Sequence, residues 1–102
     1  MAYITKYFEV EQQYEDRYGE KTVVLKETGM FYEMYEKDSS KKLSKIDKIL
    51  NLAILQSRDL SFRRSGIPHI AKEKYVKMLV DEEYVVIIID HNWNEEKIYL
   101  QG

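Results

Sequence analysis

Apolar side chains recur at steps of three and four residues through the first eighteen positions. Tyr3, Tyr7, Val10, Tyr14 and Tyr18 form one stripe, widened by Ile4 and Phe8. That period predicts an amphipathic helix over residues 2–18, with Gly19 placed to end it. The pattern then changes. Thr22–Glu27 is rich in β-branched residues, Gly29 interrupts, and Met30–Tyr35 resumes. Two strands joined by a hairpin or a bulge at Thr28-Gly29 are expected. Asp38, Ser39 and Ser40 are N-cap candidates for a helix running to about Leu50. Its apolar positions are Leu43, Ile46, Ile49 and Leu50, with Lys41, Lys42, Lys45 and Lys48 mainly on the outer side.

Further along, Leu52–Leu55 reads as a short strand and Gln56–Asp59 as a polar turn. Phe62–Arg64 reads as a strand ended by Ser65-Gly66-Ile67-Pro68. Pro68 is the only proline and suits a turn before a helix. That helix covers Ala71–Val80, with Tyr75, Met78 and Leu79 inward. Tyr84–Ile89 is the strongest strand signal, a continuous run of the kind buried on both faces. Ile98–Leu100 reads as a last strand after a turn at Asn92–Asn94. The order predicts a mixed α/β fold, a single mixed β-sheet of about five to six strands flanked by about three helices. The 102 residues suit one domain. The sequence shows no internal repeat or linker, and its end at Gly102 has no tail character, so a fragment of a longer protein is expected.

Composition changes the picture in two ways. No cysteine is present, which excludes a disulfide framework, a thiolate metal site and a thiol nucleophile. With no signal-peptide pattern and no apolar run long enough to span a bilayer, an intracellular setting without membrane contact is expected. The net charge is −2, unlike that of a strong autonomous nucleic-acid binder, but it is unevenly spread. Residues 1–40 carry 5 basic and 9 acidic side chains, residues 41–79 carry 10 and 3, and residues 80–102 carry 1 and 6. The middle of the chain can face phosphates while its ends repel them. Equally, its lysines are those of an ordinary solvated helix face.

Candidate chemistry is sparse. Side chains alternate between the faces of a strand, so Phe31 and Glu33 point one way and Tyr32 the other. A Phe can stack on or wedge between flat bases, and a Glu beside it can hydrogen-bond a base edge; the plain alternative is an edge-strand pair on a half-buried sheet. Asp90 with Glu95, Glu96 and Lys97 is a faint likeness to the carboxylates and lysine of metal-dependent nucleases, and reads better as a polar turn. His69 and His91 have no ligand-like spacing to any partner. The tyrosine stripe is either core or a docking face. The latter would make the chain a small α/β protein-interaction module without DNA contact.

The segment Val23-Val24-Leu25-Lys26-Glu27-Thr28-Gly29-Met30-Phe31-Tyr32-Glu33-Met34-Tyr35 resembles the start of the N-terminal mismatch-recognition domain of the MutS DNA mismatch repair family. Ser65-Gly66-Ile67-Pro68-His69, followed by Tyr75–Val80, resembles that family's Ala-Gly-Ile-Pro-Tyr-His turn and its helix. Val85–Asp90 falls where the family places a further strand, and the approach through Lys26-Glu27-Thr28-Gly29-Met30 is closest to divergent viral or organellar branches. The resemblance implies that Phe31 inserts from the minor groove and stacks on a mispaired base, that Glu33 hydrogen-bonds it, and that the DNA is kinked there. A mispair is more easily unstacked than matched duplex, so discrimination rests on deformability. Gly29, Gly66 and Pro68 would support the hairpin and turn, and Arg58, Arg63 and Arg64 would contact the DNA backbone. The expected partner is mismatched or bulged double-stranded DNA. The chain has no Gly-x-x-x-x-Gly-Lys-Ser/Thr loop, so no catalysis and no cofactor are expected within it. ATP and Mg²⁺ would belong to other domains of a dimeric, DNA-stimulated ATPase. Met30, Arg64 and Pro68-His69-Ile70 depart from the family's usual residues.

Overall fold

The computed structural model describes residues 2–58 and 61–101. Asp59, the last residue of the expected polar turn, lies outside the described residues. In order the elements are α1 (Ala2–Tyr18), β1 (Thr22–Thr28), β2 (Phe31–Lys37), α2 (Lys42–Leu50), β3 (Leu55–Gln56), β4 (Phe62–Pro68), a 3-10 turn (His69–Ala71), α3 (Lys72–Asp81), β5 (Val85–Ile89) and β6 (Glu95–Tyr99). The strands form one sheet in the order β3-β4-β2-β1-β5-β6. Only the β1–β5 pair is parallel; the other pairs are antiparallel. The fold is therefore mixed α/β with three α-helices and a six-stranded sheet among the described residues, as the element order predicts.

Strand alternation splits the core in two. Val23, Leu25, Tyr32, Met34, Ile67, Val86 and Ile88 point to the face covered by α2 and α3, against Leu43, Ile46, Leu50, Val76 and Leu79. Val24, Tyr35, Ile87 and Ile89 point to the other face, against Tyr7 and Tyr14 of α1. The tyrosine stripe is thus mostly core: Tyr7 is fully buried and its hydroxyl donates to the Val24 carbonyl at 2.7 Å. Because β1 and β5 have apolar residues on both faces, they occupy adjacent interior positions in the sheet.

Several local expectations are corrected. The segment Ser65–Pro68 does not end β4; it continues the strand, paired along β2 from Lys37↔Phe62 to Phe31↔Pro68. Gly66 and Pro68 therefore act inside and at the end of a strand rather than in a turn. Pro68 is tolerated at the terminal position, where its missing N–H costs no interior ladder bond. The strand expected at Leu52–Leu55 shrinks to Leu55–Gln56. Helix α2 starts with Lys41 at its N-cap, whose side chain makes no capping bond, so its free N–H groups are met by other residues. Ser40 Oγ accepts from the Lys42 N–H at 3.1 Å, and Glu36 Oε1 accepts from the Leu43 N–H at 2.6 Å. In α3 the fully buried positions are Val76 and Leu79, with Tyr75 and Met78 half-buried. Lys42 is not on a solvated face, since its Nζ lies 2.9 Å from Glu11 Oε2 and 2.7 Å from Glu15 Oε2.

Glu36 is a buried charge with two jobs, capping α2 and receiving Arg63 Nε at 2.6 Å. Removing it leaves the Arg63 Nε–H and the Leu43 N–H without their acceptor and the Arg63 charge without its carboxylate. Glu36→Ala is expected to lower stability by about 3 kcal/mol in urea denaturation; an unchanged midpoint would contradict this role. Alkaline pH supplies a second check. Burial, then the hydrogen bond and charge of Glu95, push Tyr14 up to about 12, and burial raises Tyr7 and Tyr35 as well. The unfolded chain releases phenolic protons near 10.0 while the fold retains them. Stability is therefore full below pH 10 and expected to fall as pH rises toward the native values. A flat denaturation midpoint from pH 9 to pH 11.5 would contradict it.

Candidate nucleic-acid interface

The β1–β2 connection places the two residues singled out by the sequence. Thr28 pairs with Phe31, so Gly29 and Met30 alone make the turn. Gly29 takes φ +56°, the left-handed value that a two-residue hairpin of type II′ requires at its first position and that side-chain-bearing residues adopt at a cost. The turn aims an apolar tip outward. Met30 is 75% exposed, Phe31 48% and Ile70, just beyond β4, 98%. The His69 N–H donates to the Met30 carbonyl at 2.9 Å, tying the 3-10 turn to the hairpin. Sequence reasoning noted Met30 and Ile70 only as departures from a motif. Their shared signal is an apolar residue in a turn, where nothing local covers it.

Phe31 and Glu33 lie on the same face of β2 as Tyr35, the side facing α1. Tyr32 points the other way into the core, stacked on the His69 ring at 4.3 Å and 14°. Gly66 sits opposite Glu33. A side chain at Gly66 would meet Glu33 Cγ at 3.6 Å and Phe31 Cδ1 at 3.9 Å, so both side chains lie across bare backbone. A groove of about 270 Å³ opens beside them, walled by Ala53, Leu55, Arg64 and Ser65. The Ser65 hydroxyl donates to the Ala53 carbonyl at 2.7 Å and fixes that wall.

Glu33 is held from two sides. Arg64 Nη1 donates to its Oε2 at 3.0 Å, and the buried Tyr35 hydroxyl donates to its Oε1. Burial and the neighbouring Glu33 carboxylate raise Tyr35 far above the ordinary tyrosine range, so its hydroxyl stays a donor. Lys26, directly opposite Glu33 in β1, is only 2% exposed and donates to the Glu27 carbonyl at 2.9 Å, with Trp93 4.6 Å away under its ammonium. Burial lowers its pKa. A lysine inside the β-rich run of β1 was the sequence signal for it.

The three candidate phosphate-contacting arginines separate. Arg64 stands beside Glu33, with its side chain 47% exposed. Arg63 is occupied by the fold: it donates to Glu36, to the Asp38 carbonyl at 3.1 Å and to the Ser40 carbonyl at 2.6 Å. Arg58 is exposed in the turn after β3, at the end of β4 remote from Phe31. Three lysines at the start of α2 are remote as well. Lys41, Lys42 and Lys45 share a hollow with Lys21, at the end of β1 opposite the hairpin. Seven strand residues, about 20 Å, separate the two ends. Asp90 caps the β5–β6 turn, its Oδ1 accepting from the Asn92 and Asn94 N–H groups at 2.9 Å. No group of three potential ligands able to hold a metal occurs among the described residues.

The MutS domain I family matches residues 2–99 of the chain. A putative DNA mismatch repair protein of Acanthamoeba polyphaga mimivirus, a MutS homologue, is 28% identical over 104 residues, covering 92% of this chain and 9% of its own length. The DNA mismatch repair protein MutS of Leuconostoc citreum is 31% identical over 87 residues, 85% of this chain and 9% of that protein. MutS of Thermotoga neapolitana is 31% identical over 85 residues, 83% and 9% respectively. The chain thus spans about a tenth of the length of these relatives. By a match that runs through every helix and strand described above, the chain belongs to the MutS domain I family.

Proposed function

We propose that this chain is the mismatch-recognition module of a MutS-like DNA mismatch repair protein, and that the β1–β2 hairpin tip enters the minor groove at a mispair. The observation that carries the reading is the half-exposed Phe31 beside Glu33, at the tip of a hairpin anchored in the middle of the sheet. Phe31 unstacks and supports the mispaired base, Glu33 accepts a hydrogen bond from it, and the kink costs least where pairing is already defective. Met30 and Ile70 extend the apolar tip on either side of Phe31. Arg64 contacts the backbone, Arg63 holds the fold, and Arg58 reaches DNA only if the duplex bends toward that end of β4.

The single tip and the net charge of −2 fit one part of a larger assembly in which other domains supply most of the phosphate contacts. In that assembly the parent is a dimeric ATPase of the cell interior that uses ATP and Mg²⁺ outside this chain. Burial of the α1 tyrosines disfavours the protein-interaction alternative, because it removes most of the face such a module would present.

Fluorescence anisotropy with a duplex carrying one G·T mispair and its matched control tests the reading. Phe31→Ala is expected to weaken preference for the mispair by about tenfold or more, the worth of one base–aromatic stack. Matched-duplex affinity should barely change, and stability should move by no more than about 0.5 kcal/mol. Undiminished preference in Phe31→Ala would overturn it. The hairpin has its own test. Gly29→Ala should cost about 1 kcal/mol through backbone strain alone, since the space is open. Gly66→Ala should cost less stability, because its contacts are ordinary and its backbone is not left-handed; the reverse order would contradict the turn geometry.

A further inference from the structure

Arg64 and Tyr35 meet different oxygens of the same carboxylate, one from across the sheet and one from the same strand. Tyr35 is two residues along β2 on the same face, and Arg64 reaches across from β4, where it pairs with Tyr35 in the register. Tyr35 is itself fixed, buried against Tyr7 at 4.9 Å, Phe62 at 5.9 Å and Tyr3 at 6.0 Å. Its hydroxyl is therefore a rigid donor. Arg64 is half-exposed and long, with five donors of which one is directed at Glu33.

We propose that Arg64 and Tyr35 are positioning residues for Glu33, holding its carboxylate in one orientation before any DNA arrives. The inference rests on the reading that Glu33 meets a base. Two physical consequences follow. A carboxylate carries about four acceptor sites, so the two donors leave capacity for a base N–H. A free glutamate would lose rotamer freedom on binding, whereas this one has already lost it. A bare carboxylate is also repelled by the phosphates on both sides of the groove. Arg64 offsets that charge at 3.0 Å and keeps outward-facing donors for a phosphate. Lys26 supplies the same sign from β1, but its ammonium is turned toward Trp93 and backbone carbonyls. The orienting role falls to Arg64 and Tyr35.

A double-mutant cycle on mispair preference, the ratio of matched to mispaired Kd, separates positioning from plain charge contact. Arg64→Met is expected to lower the preference by about three- to tenfold, and to lower it no further in a Glu33→Gln background. Arg64→Lys, with the charge but not the planar fork, should recover part of the loss. Loss of preference that persists unchanged in Glu33→Gln, or an equal weakening of both duplexes, would overturn the role and leave Arg64 as a phosphate contact. Phe31→Ala keeps the two failures distinguishable: preference that survives it overturns the base-reading proposal itself. The free chain gives an independent readout. Three-bond NMR couplings should place Glu33 in a single rotamer in the unsubstituted chain and average it in Arg64→Met. Averaging in both chains would overturn the clamp without any DNA present.

Discussion

The register of β2 between β1 and β4 is the constraint on which the rest depends. Strand side chains alternate with a period of two, so a slip of one residue would carry Phe31, Glu33 and Tyr35 to the α2/α3 face and Tyr32 and Met34 to the α1 face. Three features oppose that slip. The turn closes in two residues with Gly29 at a left-handed φ. Tyr32 and Met34 are buried against α2 and α3, while Tyr35 is buried against α1. Glu36 is locked to Arg63 and to the start of α2. The hairpin tip is exposed, yet every residue behind it is fixed, and a side chain must be fixed in this way to push against stacked bases.

The proposed role asks a chain of slight negative charge to meet a polyanion. The tip is apolar, and its one carboxylate is already accompanied by Arg64. Several other cations are employed elsewhere: Arg63 and Lys42 hold elements together, Lys26 is buried, and Lys41 and Lys45 lie at the end of β1 opposite the hairpin. Such a surface is poorly suited to gripping arbitrary duplex. In the proposed role, its weak general attraction is an advantage, because a wedge rewarded mainly where DNA deforms easily discriminates better than one held by charge alone.

Much of this was legible in the sequence, and the failures have identifiable causes. Helix α1, the hairpin and β5 follow from periodicity, because each has a strong pattern bounded by a glycine or a polar turn. The continuation of β4 through Ser65–Pro68 is not legible in the local sequence. Gly66 and Pro68 are local breakers, but seven residues of pairing with β2 override them. At the start of α2 the expected Ser40 does accept one N–H, but the second acceptor, Glu36, comes from the preceding strand and leaves no local signal. Arg58, Arg63 and Arg64 looked equivalent as charges. Only the register shows that one faces Glu33, one is occupied by the fold and one lies at the far end. Strand alternation already puts Tyr35 beside Glu33, two residues on, but Arg64 reaches that carboxylate only through strand pairing across 31 positions.

The central claim is that the hairpin tip, and not the basic helix, meets a mispair. An NMR titration of ¹⁵N,¹³C-labelled chain with a short duplex carrying one G·T mispair, beside its matched control, tests it most directly. The account predicts shifts confined to Met30, Phe31, Glu33, Arg64, Gly66 and Ile70 that appear with the mispaired duplex and are far weaker with the matched one. Equal, diffuse shifts centred on Lys41, Lys45 and Lys48 with both duplexes would contradict it.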